Sequence, residues 1–443
     1  MALVHGSRLE RKRRLLRAAA VILSAAKELR AGFAILAAWA PTLLAAQSSA
    51  SPPPHLPVSY DITLVTSDTG AHVLGEVQVG WRLGSAEPVV LDLDSTLRVV
   101  RVLVDGKPNT RISRTMYGRH GNDVIVPHQK SAGDSLSTRV RYHGTPRGGI
   151  RVGADLTGAR ALAAETAAGR GRLWLPVPGI AEARATVAWH LQVGRDQRAI
   201  ANGALVSIDT LAYGRTTWHY RLDVPVPLDG YAAAVGRYAV TALPRAGCRS
   251  GCVPVTLWTA PDDSAKAGAG AFRRAGEMLD FLSGLLGPFP YSGIAHVAAS
   301  LPPDGRAGAS LVLYDAVRVH EGRIDELEVA GATAAQWFGN AVSETGDPAA
   351  RPSPAIAGYL ALLWARQRGG PARSEVVIPR GAAAIERLHR TVGDSVFFRG
   401  LRRYVQANRL ATAVPGGLER AMSETAGHPV GWTFRGQEAP ASR

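Results

Sequence analysis

The chain has 443 residues, of which 46% are hydrophobic and 20% charged. This length and apolar content exclude a disordered chain and allow two or three domains with a sizeable core. The formal net charge is +15, but residues 1–46 hold eight Lys/Arg and two Glu, a net +6 that leaves +9 on the rest. Because the remaining basic residues are mostly single Arg, the composition argues against nucleic-acid binding.

Residues 1–46 have the pattern of an export signal. A basic segment that includes Arg11–Arg14 precedes the apolar run Ala31–Ala46, which has the length of a signal-peptide core and is short for a membrane span. Small residues at Ala45 and Ala46 predict cleavage near Gln47, with residues 47–56 as a linker. We therefore predict an exported protein, periplasmic or secreted. The alternative is that this segment is retained as an N-terminal membrane anchor. We expect no other contact with a membrane.

Residues 57–245 are predicted to form a β-rich domain. Tyr60–Leu64 and Val77–Trp81 alternate apolar and polar residues on either side of the turn Asp68–Gly70, which predicts a β-hairpin. Similar short segments recur without a long amphipathic helix between them, so an antiparallel sheet is the simplest prediction. The further predicted strands are Val89–Leu93, Val99–Val104, Val124–Val126, Arg139–Tyr142, Thr186–Val193, Leu205–Ile208 and Thr216–Leu222.

Residues 246–434 change to mixed helix and strand patterns, with 435–443 as a tail. A helix is predicted over Ser264–Leu286, and a second, buried helix over Asp325–Val342. Asp325 can cap the second helix, and Glu328 three residues later completes a capping-box pattern. Other predicted elements are strands Val255–Trp258, Ala295–Ala299 and Ser310–Tyr314, and helices Ala355–Arg366, Gly381–Thr391, Ser395–Asn408 and Gly416–Thr425.

Cys248 and Cys252, the only two cysteines, lie in the short polar segment CRSGC. In an oxidising compartment they can close a small disulfide. A zinc site is the less favoured interpretation, because two Cys supply only two of the ligands that zinc needs.

Several sequence stretches between residues 57 and 430 carry a family resemblance, and their order along the chain is part of it. They include WLPVPGIAEARATVAWHLQV with Ala201–Gly203 after it, FLSGLLGPFPYSGIAHVAAS, SLVLYD, QWFGN and GDSVFFRGLRRYV. In this order they resemble the aminopeptidase N-like family of gluzincin zinc peptidases. The resemblance implies an α+β protein with an antiparallel, β-sandwich-like (saddle) N-terminal domain and a thermolysin-like mixed α/β peptidase domain. It further implies no helical C-terminal domain of the kind that many members add.

The zinc-binding positions of that family fall on residues without ligand atoms. In the family, two His one helical turn apart bind zinc and a Glu between them is the general base. The QWFGN segment follows this motif, so the two His match Gly331 and Ala335 and the base matches Ala332. The third ligand is a Glu on the next helix and matches Pro354, nineteen residues after Ala335.

Two further catalytic positions are also changed. The Glu that grips the substrate's amino terminus lies seven residues before a Tyr, and counting back from Tyr314 gives Ala307. The Tyr that stabilises the tetrahedral intermediate matches Ile378. The resemblance therefore implies a pseudo-peptidase that lacks zinc and catalytic residues. One hypothesis for its role is that the interdomain cleft binds a peptide or a protein partner without cleaving it.

Two other interpretations stay open. An active zinc peptidase with a rearranged site would draw on His296, His320 and Glu321, although no second His follows Glu321 one turn later. A single His is more often a hydrogen-bonded structural residue than a ligand. The other interpretation is a diverging chain with no selected function.

Overall fold

The computed structural model describes residues 54–66, 70–108, 119–180, 183–244, 253–299, 306–347, 350–368, 381–432 and 434. The predicted leader, the cysteine pair Cys248 and Cys252, and Ile378 lie outside these ranges. The sequence-based statements about them therefore stay predictions.

An eight-stranded sheet dominates the first half of the described chain. Its strands Val73–Arg82, Ser135–Gly144 and Arg184–Val193 alternate buried and more exposed residues as predicted, whereas Ala204–Thr210 is exposed along its whole length. In spatial order the strands are β14 (Ala204–Thr210), β15 (Thr216–Pro227), β12 (Arg184–Val193), β1 (Leu56–Thr66), β2 (Val73–Arg82), β8 (Ser135–Gly144), β4 (Arg98–Val104) and β5 (Lys107–Pro108).

The predicted hairpin is confirmed, because β1 pairs antiparallel with β2. The purely antiparallel prediction is wrong for one pair: β1 runs parallel to β12, with Ile62 opposite Trp189. Parallel neighbours need a long crossover connection, and local alternation carries no information about which distant strand becomes the neighbour.

Two smaller sheets complete this half. One has the order β13 (Arg198–Ala201), β16 (Ala232–Gly236), β10 (Arg160–Glu165) and β9 (Ile150–Ala154); the other has β11 (Val177–Pro178), β3 (Val89–Asp92), β7 (Asp123–Val126) and β6 (Arg119–His120). Large aromatic side chains fill the core against the eight-stranded sheet. Trp189 of β12 stacks on Trp174 with ring centres 6.2 Å apart and contacts Tyr231 edge-on at 6.3 Å.

The second half contains every α-helix of the described residues and a five-stranded mixed sheet. The sheet order is β17 (Ala239–Ala242), β18 (Val255–Thr259), β19 (Ile294–Ala299), β21 (Leu311–Asp315) and β20 (Arg306–Gly308), with a two-stranded pair β22 (Val342–Glu344) and β23 (Ala411–Ala413). The helices are α1 (Ser264–Ala269), α2 (Ala275–Leu286), α3 (Ala316–His320), α4 (Glu326–Ala334), α5 (Ser353–Gln367), α6 (Ala382–Ala407) and α7 (Gly417–Ala426).

No helix in the part of the chain that the structure describes combines the length and the apolar character needed to cross a membrane.

Helix α4 is shorter than the predicted helix over 325–342. Asp325 caps it as predicted, since its Oδ1 accepts from the backbone N–H of Glu328 at 2.8 Å. The Glu328 carboxylate does not close a capping box and instead binds the Arg318 guanidinium. The helix ends at Ala334, and the turn that follows contains Gly339, whose φ of 109° is a conformation that L side chains rarely adopt. The chain then enters β22.

Two other predictions concern where a helix is interrupted. The predicted helix over 264–286 is interrupted, because a 3-10 turn (Ala271–Arg274) separates α1 from α2 after the non-helical Gly270. The predicted gap between residues 391 and 395 is confirmed as a kink in α6 at Gly393, with φ 74° and ψ 164°.

Candidate functional site

A cavity of about 410 Å³ lies between α4, α5, β20 and β21. Small and apolar side chains make up most of its wall, and α4 and α5 face each other across it. Its lining residues are Ala307, Val312, Leu313, Tyr314, Asp325, Leu327, Glu328, Gly331, Ala332, Pro354, Ala357, Gly358 and Ala361.

The cavity gathers four of the positions singled out by the sequence resemblance. Gly331 and Ala332 come from α4, Ala307 from β20 and Pro354 from the first turn of α5. Ala335 lies one turn beyond Gly331, and its backbone N–H donates to the Gly331 carbonyl at 2.9 Å. It is not among the lining residues of the described chain. Three segments that are far apart in sequence thus converge on one space.

Polar residues of the QWFGN segment fix β20 against α4. Gln336 is fully buried, and its Oε1 accepts from the backbone N–H of Ser310 at 2.8 Å while its Nε2 donates to the Gly308 carbonyl at 3.0 Å. Asn340 Nδ2 donates to the carbonyl of Ala307 at 2.9 Å. The sequence-based interpretation gave these two residues no role. Trp337 and Phe338 between them are buried in the core.

Asn202 is a third residue that the sequence-based interpretation left without a role. Its Nδ2 donates to the carbonyls of Gly230, at 3.0 Å, and Ala309, at 2.6 Å. Its Oδ1 accepts from the backbone N–H of Ala232 at 2.7 Å. Its side chain is fully buried. Asn202 therefore ties the β-rich half to the segment that follows β20, directly beside the cavity.

The charged and hydroxyl groups on the cavity wall already have protein partners. Asp325 caps α4, and Glu328 binds Arg318 through two hydrogen bonds of 2.9 and 2.6 Å. The hydrogen bond to Glu328 raises the pKa of Arg318. The Tyr314 hydroxyl lies 2.9 Å from His296 Nδ1.

The donor set of the cavity does not fit zinc. Zinc in proteins is held by thiolate, imidazole and carboxylate groups. Among the described lining residues none is His or Cys, and both carboxylates are engaged as above. Side chains of Gly, Ala and Pro offer no lone pair, so they can neither bind a metal nor take a proton.

The residues of the rearranged-site interpretation have separate partners. His296 is fully buried on β19, and burial lowers its pKa to about 3, so the ring is neutral near pH 7. His320 Nδ1 lies 2.8 Å from Asp263, and Glu321 pairs with Arg323. Within the described ranges, no three His, Cys, Asp or Glu side chains are arranged to hold a metal ion.

A buried carboxyl group anchors the first turn of α5, which carries Pro354. Glu344 on β22 accepts hydrogen bonds from Ser353 Oγ at 2.6 Å and from the Tyr404 hydroxyl at 3.1 Å. Burial raises the pKa of Glu344, and these hydrogen bonds oppose the rise only in part.

This pKa shift predicts how stability depends on pH. A carboxyl group whose pKa is higher in the folded state stabilises the fold below its ordinary pKa, and that contribution is lost as pH rises through the raised value. We expect Glu344→Gln to remove this pH-dependent contribution. The unfolding free energy of the variant should therefore rise relative to that of the wild type as the pH increases. Urea unfolding from about pH 4 to about pH 8 measures it. A pH-independent difference would contradict the assignment.

Gly331 is predicted to be a position where an added methyl group stabilises the protein. It lies inside α4, where Gly costs about 1 kcal/mol relative to Ala. A Cβ atom there would meet only the Cβ of Ala361, at 3.8 Å. We expect Gly331→Ala to raise the unfolding free energy by about 0.5–1 kcal/mol, measured by urea unfolding.

Gly203→Ala is the matched control for this substitution and should have the opposite sign. Gly203 has a φ of 92°, and a Cβ atom would collide with the carbonyl of Arg221. If Gly331→Ala also destabilised the protein, the space above α4 would not be open as described.

The fold is that of known peptidase structures. An M1 zinc metallopeptidase from Deinococcus radiodurans has a TM-score of 0.70 and 22% sequence identity, covering 88% of this chain and 97% of that one. A Glu-to-Ala variant of an M1 enzyme from the same organism, bound to a Tyr-Ser-Ala substrate, has a TM-score of 0.72 and 22% identity, covering 87% and 96%. Neither a protein-family model nor a curated protein matches the chain.

Proposed function

With the M1 zinc metallopeptidase fold as the premise, we propose that this protein is an exported, non-catalytic member of that fold that binds peptides or a protein partner without cleaving them. The observation that supports this proposal most directly is the cavity of about 410 Å³ where α4, α5 and β20 meet. Among the described residues, its lining has no free zinc ligand or base.

Inactivity follows from the joint loss of separate chemical roles. A zinc peptidase needs metal ligands, a base for the metal-bound water and a group that holds the substrate. Gly331 and Pro354 stand at ligand positions, Ala332 at the base position and Ala307 at the amine-binding position. One missing group can be replaced by a neighbour or by water, but loss of all of them leaves no step that the cavity can perform.

Peptide binding is supported by the size and lining of the cavity. Its volume falls within the range of about 300–1,000 Å³ typical of small-ligand sites. The small residues at 331, 332 and 307 leave space where an active zinc peptidase would have a zinc ligand, the catalytic base and the amine-binding group. An apolar side chain of a peptide can therefore enter this space. The hydrogen bonds of Gln336 and Asn340 keep β20 fixed beside that space.

The first experiment tests inactivity. Untagged protein comprising residues 47–443 is assayed for hydrolysis of aminoacyl-arylamides, with and without added Zn²⁺ and after treatment with a chelator. We expect no turnover above buffer under any of these conditions. Turnover that depends on zinc would overturn the proposal and favour a rearranged active site.

The second experiment tests peptide binding at the cavity. Thermal-shift screening of a peptide library against the wild type should find peptides that raise the melting temperature. Ala332→Phe fills the cavity and should abolish the shift, whereas Ala383→Phe on the exposed face of α6 should preserve it. If no peptide stabilises the wild type, or if Ala332→Phe leaves the shift unchanged, the cavity is not the binding site.

A further inference from the structure

Four titratable side chains form a row on the solvent-facing side of the eight-stranded sheet. They come from four neighbouring strands: Asp61 from β1, His190 from β12, His219 from β15 and Asp209 from β14. His190 and His219 are direct cross-strand neighbours. We call this row the His–Asp row. It lies in a different sheet from the cavity described above and has no part in the proposed function.

Hydrogen bonds at the two ends of the His–Asp row fix the protonation of the ring nitrogens. His190 Nε2 lies 3.0 Å from Asp61 Oδ1, and His219 Nε2 lies 3.0 Å from Asp209 Oδ2. An ionised carboxylate only accepts hydrogen bonds, so each Nε2 must carry the hydrogen. In a neutral imidazole the other nitrogen, Nδ1, then presents a lone pair.

The two Nδ1 atoms point at each other across 2.5 Å. Two lone pairs at this distance repel, so the arrangement is stable only if a positive charge lies between them. One shared proton fits this separation as it stands, and a metal ion can take the proton's place once the two rings move apart. A metal-binding imidazole typically donates its second N–H to a carboxylate, which orients the ring and strengthens the ligand, and both rings of the row have this arrangement.

We propose that His190 and His219 form a surface site for a divalent transition-metal ion of the Cu²⁺, Ni²⁺ or Zn²⁺ class. The two Nδ1 atoms are the protein ligands, Asp61 and Asp209 orient the rings, and water completes the coordination. Imidazole ligands suit these ions, and Cu²⁺ is expected to bind most tightly. With two direct protein ligands, the site differs from a closed structural zinc site, which uses four.

The site is accessible and needs only a small adjustment. The two imidazole side chains are 28% and 22% exposed, so an ion can reach them from solvent. Two nitrogens bound to one zinc ion at tetrahedral angles lie about 3.3 Å apart, as follows from Zn–N distances of about 2.0–2.1 Å. The rings must therefore separate by somewhat less than 1 Å, which rotation of exposed side chains supplies.

Isothermal titration of the untagged full chain with CuCl₂, and separately with ZnCl₂, tests the site. We expect one equivalent of metal per chain, with affinity falling about 10-fold or more in His190→Ala and in His219→Ala. Asp61→Asn keeps both ligands but weakens ring orientation, and we expect a loss of about 10-fold. Electron paramagnetic resonance of the Cu²⁺ form should show two nitrogen ligands in the wild type and one in either His variant.

The matched control is the double variant His72→Ala/His143→Ala. His143 lies on β8 of the same sheet and His72 directly precedes β2, and their rings form an exposed pair at 3.2 Å, so their removal tests whether any histidine pair suffices. We expect this variant to keep the wild-type affinity. If the wild type binds Cu²⁺ no more tightly than His190→Ala, the row shares only a proton and the proposal is wrong. The same conclusion follows if the control variant loses the binding.

Discussion

Placing zinc-binding side chains at 331, 335 and 354 is expected to make the cavity bind one zinc ion. The triple variant Gly331→His/Ala335→His/Pro354→Glu places two imidazoles one helical turn apart and a carboxylate on α5. The structure favours this outcome because Gly331 and Pro354 already line the same cavity and a Cβ atom at 331 would meet only Ala361. Pro354 lies in the first turn of α5, where its replacement breaks no helical hydrogen bond.

We expect the triple variant to bind zinc roughly 10³-fold or more tightly than the parent, because three protein ligands replace none. Both proteins should carry His190→Ala/His219→Ala, so that the His–Asp row does not contribute. Competition with a chelating dye measures the affinity. A control with Ala383→His/Arg387→His places an imidazole pair on the exposed face of α6 without a third ligand. Equal affinities in the triple variant and this control would show that the matched positions are wrong.

The same precaution applies to the metal content of the purified wild type. Zinc found there can come from the His–Asp row rather than from the cavity. Comparing the wild type with His190→Ala/His219→Ala separates the two sources. Zinc that persists in the double variant and supports turnover would count against the non-catalytic proposal, whereas zinc that disappears would leave it intact.

Asn202→Ala is expected to destabilise the protein by about 2–4 kcal/mol, since it removes three buried hydrogen bonds at once. The variant leaves the carbonyls of Gly230 and Ala309 and the N–H of Ala232 without this partner. The Gly230 carbonyl keeps the backbone N–H of Ala309 as a partner at 2.9 Å, so most of the cost comes from burying the other two groups without this hydrogen bond. Urea unfolding monitored by tryptophan fluorescence measures the change.

Two further variants sharpen the test of Asn202. Asn202→Asp keeps the shape but cannot donate to the two carbonyls, and it should be at least as unstable as Asn202→Ala. Asn408→Ala removes a single, part-buried bond from Asn408 Nδ2 to the Tyr404 carbonyl, and we expect it to cost about 1 kcal/mol or less. If Asn202→Ala cost no more than Asn408→Ala, Asn202 would not be the tie between the two halves that the structure indicates.

Short-range patterns in the sequence determined the features that depend on neighbouring residues. Alternation along Tyr60–Leu64 and Val77–Trp81 predicted a strand pair, Asp325 was predicted as a helix cap, and the glycine-marked gap near residue 393 predicted a break. Each of these features is decided within a few residues by side-chain period, capping or backbone freedom. The positions that match the family's zinc-site residues were located by counting along the chain from the motifs that carry the resemblance.

Only the tertiary structure decided which distant residues meet. The parallel pairing of β1 with β12, the early end of α4 at Ala334, and the convergence of Ala307, Gly331 and Pro354 on one cavity all depend on long-range packing. The roles of Asn202 and of the His190–His219 pair have the same origin. Their hydrogen-bond partners are separated from them by many residues, and no periodicity of the chain encodes a contact between strands until the sheet has formed.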